Sequence, residues 1–160
     1  MPRGTSGVRI WLGEPTEDPP AIIIGIDPGK TVGLAVYDLV TEEMLGTQVV
    51  FDDFGDWLNI SLANLKGKNV HVAIERYTIR SLKVAADAHW AIECIGVAKY
   101  LCKCYSVSLT LQSPNDAKGF ADDIKLRKAK WYVPGRQHAN DAIRHVALLM
   151  ASLKIAPPWV

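Results

Sequence analysis

The first unbroken apolar stretch of the chain is Ala21-Ile22-Ile23-Ile24-Gly25-Ile26, closed by Asp27 and the turn Pro28-Gly29-Lys30. A β-branched run of this kind predicts a buried central strand. Apolar runs over 31–37 and 44–51, separated by the turn Thr41-Glu42-Glu43, predict two more strands, and the three together an antiparallel meander. Phe54, Trp57, Leu58, Leu62 and Leu65 then recur at helical spacing. They predict a helix capped by Asp52 or Asp53, running to about Lys66 and ended by Gly67. Residues 70–75 repeat the opening pattern, an apolar run closed by Glu75. A long helix over 82–104 is expected next, with Trp90, Val97, Tyr100 and Leu101 among its apolar positions, followed by a fifth strand over 107–111. Pro114 opens a short helical turn, whereas 119–137 is polar and basic with no period that fixes its conformation. Ala139, Ala142, Ile143, Val146, Ala147, Met150 and Leu153 form the buried stripe of a last helix over 138–153.

The order β-β-β-α-β-α-β-α predicts an α/β fold, a five-stranded mixed sheet flanked by helices. Strands one, four and five can be parallel, and two and three antiparallel. Residues 1–20 hold Pro2, Gly4, Gly7, Gly13, Pro15, Pro19 and Pro20 and read as a mobile arm, with a short strand near 8–11. The domain proper is expected over 21–156.

Composition narrows the class further. With 160 residues, 49% of them hydrophobic and 22% charged, the chain reads as one soluble globular domain. No apolar run approaches the roughly 20 residues of a membrane span, and the N-terminus lacks the apolar stretch of a signal peptide. Cys94, Cys102 and Cys104 are an odd set without metal spacing, which suits a reducing cytoplasm. The net charge of +1 hides an asymmetry: residues 1–75 hold 5 Lys and Arg against 11 Asp and Glu, and residues 76–160 hold 13 against 6. The second half can therefore present a basic face to a polyanion, although a solvated surface explains the charge equally well.

The candidate chemistry lies at the strand ends. Asp27 and Glu75 close two apolar strands that can lie side by side, and His138 and Asp141 stand at i and i+3 on the last helix, about 60° apart around its axis. Three carboxylates and an imidazole form an oxygen-rich set that suits Mg²⁺ or Mn²⁺ rather than zinc. Two such ions about 4 Å apart can clamp both oxygens of an in-line phosphodiester displacement. Each residue alone has a plainer reading: Asp27 as a turn former, Glu75 as a partner of Arg76, His138 and Asp141 as first-turn residues of a helix. Together, in this order of elements, they favour a metal site. Gly29-Lys30-Thr31 mimics the end of a phosphate-binding loop. That loop needs a glycine where Ile24 stands and a helix where a strand is predicted, so ATP binding is rejected.

Three segments carry a family resemblance. Ile24-Gly25-Ile26-Asp27-Pro28-Gly29 resembles the opening motif of the RuvC-type Holliday junction resolvases, in the RNase H-like superfamily; Ala73-Ile74-Glu75 resembles their second acidic motif. His138-Ala139-Asn140-Asp141-Ala142 resembles their last. The resemblance implies an RNase H-like fold, a homodimer in the cytoplasm of a bacterial cell or phage-infected host, and Mg²⁺-dependent cleavage of four-way junctions. The products would carry 5′-phosphate and 3′-hydroxyl ends. It implies that Asp27, Glu75 and Asp141 are metal ligands of two Mg²⁺ ions, and that His138 is a ligand or moves a proton. Gln112-Ser113-Pro114-Asn115-Asp116-Ala117-Lys118 resembles the segment that brings a lysine near the scissile phosphate, which makes Lys118 a catalytic candidate. Tyr77, two residues past Glu75, is the candidate for the aromatic side chain that stacks at the junction, with Arg76 and Arg80 beside it. Lys125, Arg127, Lys128 and Lys130, interleaved with Trp131 and Tyr132, suit phosphate contact and base stacking; the plainer reading is an amphipathic helix burying Leu126 and Trp131. The long helix over 82–104 is the expected dimer contact, because a two-fold substrate suits a two-fold protein. The same chemistry on flaps, forks or an RNA-containing duplex, and a non-catalytic junction-binding module, are the competing readings.

Overall fold

Strand alternation sorts the side chains of the first strand into two layers. In a computed structural model, which describes residues 18–78 and 85–160 and the side chains of the second stretch from Ala88 onward, β1 (Ile22–Asp27) is buried along its whole length. Ile22, Ile24 and Ile26 face one core, and Ile23 faces another. β1 pairs antiparallel with β2 (Thr31–Asp38), which pairs antiparallel with β3 (Glu43–Val50). On its other side β1 pairs parallel with β4 (Val70–Glu75), which pairs parallel with β5 (Ser108–Gln112). The sheet order is β3-β2-β1-β4-β5, the predicted mixed sheet of five strands.

The first core lies between the sheet and two helices, α1 (Phe51–Asn64) and α2 (Ala85–Cys104). α1 starts earlier than predicted. Val50 is its N-cap, and Asp52 and Asp53 lie inside the first turn, where they favour the positive end of the helix dipole instead of capping it. Gly67, at φ +89°, makes the turn that follows the helix. The buried stripe of α2 is made of small residues, Ala88, Ala91, Cys94, Ala98 and Cys102, while Tyr100 is 68% exposed. The expected helix start at 82–84 and the segment 1–17, with its strand near 8–11, lie outside the described residues. Asn69 Nδ2 donates to the Asp18 and Pro19 carbonyls, which ties the chain entering β1 to the turn before β4.

The opposite face of the sheet carries α5 (Gln137–Ser152). From Ala139 to Met150 this helix is buried on every side, not on one stripe as predicted. The stretch 119–137 supplies the outer cover. α3 (Pro114–Phe120) and α4 (Asp123–Lys128) precede an irregular segment in which Trp131 packs between Tyr37 and Trp159. Asp122 caps α4 through its side chain, which accepts from Lys125 N–H at 2.9 Å. Among the described residues no helix is long and apolar enough to cross a membrane.

Burial separates the three thiols. Desolvation pushes Cys94 up to about 11 and Cys102 up to about 12, whereas Cys104 is exposed. A disulfide reagent at mildly alkaline pH should therefore modify one thiol quickly in the folded chain and all three after denaturation, counted from the released chromophore. Rapid modification of two or three in the folded chain would contradict this packing.

Candidate active site

The C-terminal ends of β1 and β4 lie side by side, and their last residues on the α5 face of the sheet are Asp27 and Glu75. Asp27 sits opposite Gly33 of β2. The missing side chain there lets the first turn of α5 descend onto the sheet: a Cβ on Gly33 would fall 1.8 Å from the His138 carbonyl oxygen. Gly25 acts likewise one turn further along, where a Cβ would fall 2.2 Å from the Ala142 oxygen. This close seating brings His138 Nδ1 to 2.9 Å from Asp27 Oδ2 and sets Asp141 into the same corner.

The corner is electrostatically crowded. Asp27 is 8% exposed, and burial holds its carboxyl above the usual carboxylate range. The hydrogen bond from His138 opposes that shift, and the charges of Glu75 and Asp141 reinforce it. His138 is raised above the usual imidazole value, chiefly by its bond to Asp27. Its side chain is 47% exposed, so with Nδ1 donating to Asp27 the neutral ring presents Nε2 to solvent.

Each acid has a protein partner. Glu75 Oε2 accepts from His145 Nε2 at 3.1 Å, and Asp141 Oδ1 accepts from Arg144 at 2.5 Å and from Gln137 Nε2 at 3.2 Å. Arg144, itself buried, also donates to the Ala121 carbonyl and to Asp123, so it ties the acid corner to α4. Among the described residues no three His, Cys, Asp or Glu side chains close into a cation-holding group. The donor chemistry nonetheless fits a hard divalent ion: three carboxylates share one desolvated corner, and their mutual repulsion is what such an ion relieves.

The remaining candidates spread outward from this corner. Arg76 and Tyr77 line a cavity of about 300 Å³ together with Glu75, Thr78, Ser113, Pro114 and Asn115. Lys118 is exposed on α3. In the basic stretch, three of the four cations make contacts within the chain. Lys125 Nζ donates to the Phe120 carbonyl, Lys128 Nζ to that of Trp159, and Arg127 stacks on the Tyr132 ring at 3.7 Å. Lys130 is exposed. Leu126 and Trp131 are buried, as the plainer helical reading required, although the helix ends at Lys128. Arg80 lies outside the described residues. His145, Gln112 and Arg144 escaped the sequence reading. His145 follows His138 by seven positions and so shares its side of the helix, a spacing visible in the sequence but masked by the apolar residues around it.

A mixed sheet in this order, with acids at adjacent parallel strand ends and a helix seated across them, is an RNase H-like fold. Among solved structures the chain is similar to RuvC from T. thermophilus in complex with Holliday junction substrate. The TM-score is 0.63 and the identity 19%, over 86% of this chain and 98% of that one. It is also similar to a Thermus thermophilus RuvC structure, with a TM-score of 0.55 and 20% identity, over 86% of this chain and 99% of that one. No family model matches the sequence, and no curated protein matches it.

Proposed function

We propose that this chain is a divalent-metal-dependent endonuclease that resolves four-way DNA junctions, with paired cuts leaving 5′-phosphate and 3′-hydroxyl ends. One observation carries the reading: Glu75 and Asp141, each from a different element, both bear electrostatically on the buried Asp27 at one end of the sheet. A pure DNA-binding module would gain nothing from clustered carboxylates facing a polyanion. The likeness in fold to a RuvC structure holding a Holliday junction supports branched DNA as the substrate.

Asp27, Glu75 and Asp141 would hold two Mg²⁺ ions, for which Mn²⁺ can substitute. Bound there, the ions supply the charge that acidifies an attacking water and stabilises a leaving oxygen. Asp27 fixes the His138 tautomer through Nδ1, which leaves Nε2 free either to join the ligand set or to accept a proton from that water. Lys118 neutralises the phosphate near the cut. Tyr77 and Arg76, which line the cavity beside Glu75, take the displaced strand at the branch point, and Arg80 is a further DNA-binding residue. Lys125, Arg127, Lys128 and Lys130 meet the phosphate backbone of the arms, so binding weakens steeply with salt. Residues 21–156 make up the nuclease domain and 1–20 an arm, and the protein works in the cytoplasm. A second copy docks through α2, where Ile92 and Tyr100 stand exposed.

The test is incubation with labelled four-way junction, flap, fork, RNA–DNA hybrid and linear duplex, each with Mg²⁺ or with chelator. Symmetric nicks in the junction, dependent on Mg²⁺, are expected. Preferred cutting of the flap, fork or hybrid would move the substrate assignment, and no cutting of any would overturn the enzyme reading. Sedimentation as a monomer at micromolar concentration would remove the dimer.

A further inference from the structure

Glu75 has a dedicated partner that the chemistry above leaves unused. Its cross-strand neighbour on β5 is Gln112, and the ring of His145 spans the two side chains. His145 is 1% exposed. Its Nδ1 lies 2.9 Å from the Gln112 amide and its Nε2 lies 3.1 Å from Glu75 Oε2. One orientation of that amide satisfies both of its ends. The oxygen then accepts from Leu149 N–H at 3.2 Å, and the nitrogen donates to the His145 carbonyl at 3.1 Å and to Nδ1 at 2.9 Å. Nδ1 is thereby an acceptor, and a hydrogen on Nε2 is aimed at Glu75.

We propose that His145 is a positioning residue, an imidazole held by Gln112 with Nε2 toward Glu75, which fixes the Glu75 carboxylate for a divalent cation. The proposal rests on reading Asp27, Glu75 and Asp141 as metal ligands. Packing alone does not call for an imidazole here. Ala142 and Leu149, at i−3 and i+4 on the same side of α5, are fully buried, and an apolar side chain would fill the site without the desolvation cost of a polar ring. A hydrogen bond to an ionised acceptor inside a low-dielectric interior is among the stronger ones available. Only Oε2 is engaged among the described residues, so Oε1 stays open for a cation. A partner that orients a ligand in this way commonly changes metal affinity by about 10- to 100-fold when removed.

The experiment measures Mn²⁺ binding to the full chain by electron paramagnetic resonance, for wild type, His145→Leu, His145→Gln and Asp27→Asn. His145→Leu should bind Mn²⁺ about 10- to 100-fold more weakly while keeping its folded circular dichroism spectrum. His145→Gln, which returns an N–H near the position of Nε2, should recover most of the affinity. Equal affinity in His145→Leu and wild type overturns the proposal, and so does a Gln variant as weak as the Leu variant, which assigns the loss to packing. Mn²⁺ binding indifferent to Asp27→Asn overturns the metal reading beneath it. If His145→Leu fails to fold, the long-range imidazole ¹⁵N–¹H spectrum of the wild type decides. A ring with its hydrogen on Nε2 and Nδ1 as acceptor is expected for His145, and a hydrogen on Nδ1 overturns the assignment.

Discussion

Asp27→Asn should reduce junction cleavage to background and, in the same protein, raise the melting temperature of the metal-free chain. The first effect follows from the acids acting as a unit, since removing one member of such a set removes nearly all of its rate enhancement. The second follows from the burial of Asp27 beside Glu75 and Asp141. Its carboxyl is harder to ionise in the folded chain than in the unfolded one, so the ionised form costs stability at every pH above the raised value. That cost fades as the pH falls toward the unfolded value of about 3.9. His138 works in the other direction. Its raised value adds stability that is fully present below about 6.5 and is lost as the pH rises through the folded value. The gain from asparagine therefore grows as the pH rises through the folded His138 value, and it shrinks in acid. A gain on the order of 1 kcal/mol corresponds to about 2–4 °C for a chain of this size. Differential scanning fluorimetry in chelator, with and without added Mn²⁺, reads both halves. Mn²⁺ should raise the wild-type transition and leave the variant's nearly unchanged. A variant that melts below wild type at pH 8 without metal would show Asp27 to be a structural residue.

The positions of the acids were legible because each lies at or near one end of a segment whose pattern is strong. β1, β4 and the last helix carry long apolar periods, and those periods fix where Asp27, Glu75, His138 and Asp141 fall. The stretch 119–137 was illegible for the opposite reason. Its conformation depends on contacts distant in sequence, namely Trp131 on Tyr37 and Trp159, and Arg144 reaching back to Asp123; the Asp122 cap and the Lys125–Phe120 and Arg127–Tyr132 contacts are local. α2 misleads because its buried positions are small and its large Tyr100 faces outward, whereas a hydrophobic pattern weights size. The ring of partners around the acids, His145, Gln112 and Arg144, lies inside apolar segments, and a buried polar side chain declares itself only through the group it bonds.

Gly33 shows how far the site depends on backbone proximity, and Gly33→Ala should be the most damaging alanine substitution among the described glycines. Gly33 and Gly25 lie within strands and outside the positive-φ positions, so conformational freedom is not their purpose. A Cβ at Gly33 would meet the His138 oxygen at 1.8 Å and carbon at 2.3 Å, and one at Gly25 would meet Val146 Cγ2 at 2.8 Å as well as the Ala142 oxygen. Backbone atoms cannot rotate aside as a side-chain tip can, so the first turn of α5 must lift from the sheet. The cost should reach the upper end of the overpacking range of about 1–3 kcal/mol, or pass it. Because the displaced turn carries His138, and Asp141 follows within the next turn, cleavage should fall further than stability alone predicts. Gly96→Ala is the opposite case. It lies within α2 with nothing within 4 Å of a new Cβ, so alanine should add about 0.5–1 kcal/mol through helix propensity. Urea midpoints for the two alanine variants measure the contrast directly. If Gly33→Ala and Gly96→Ala shift the midpoint equally, α5 does not rest on the sheet at Gly33, and the contact between His138 and Asp27 loses its structural cause.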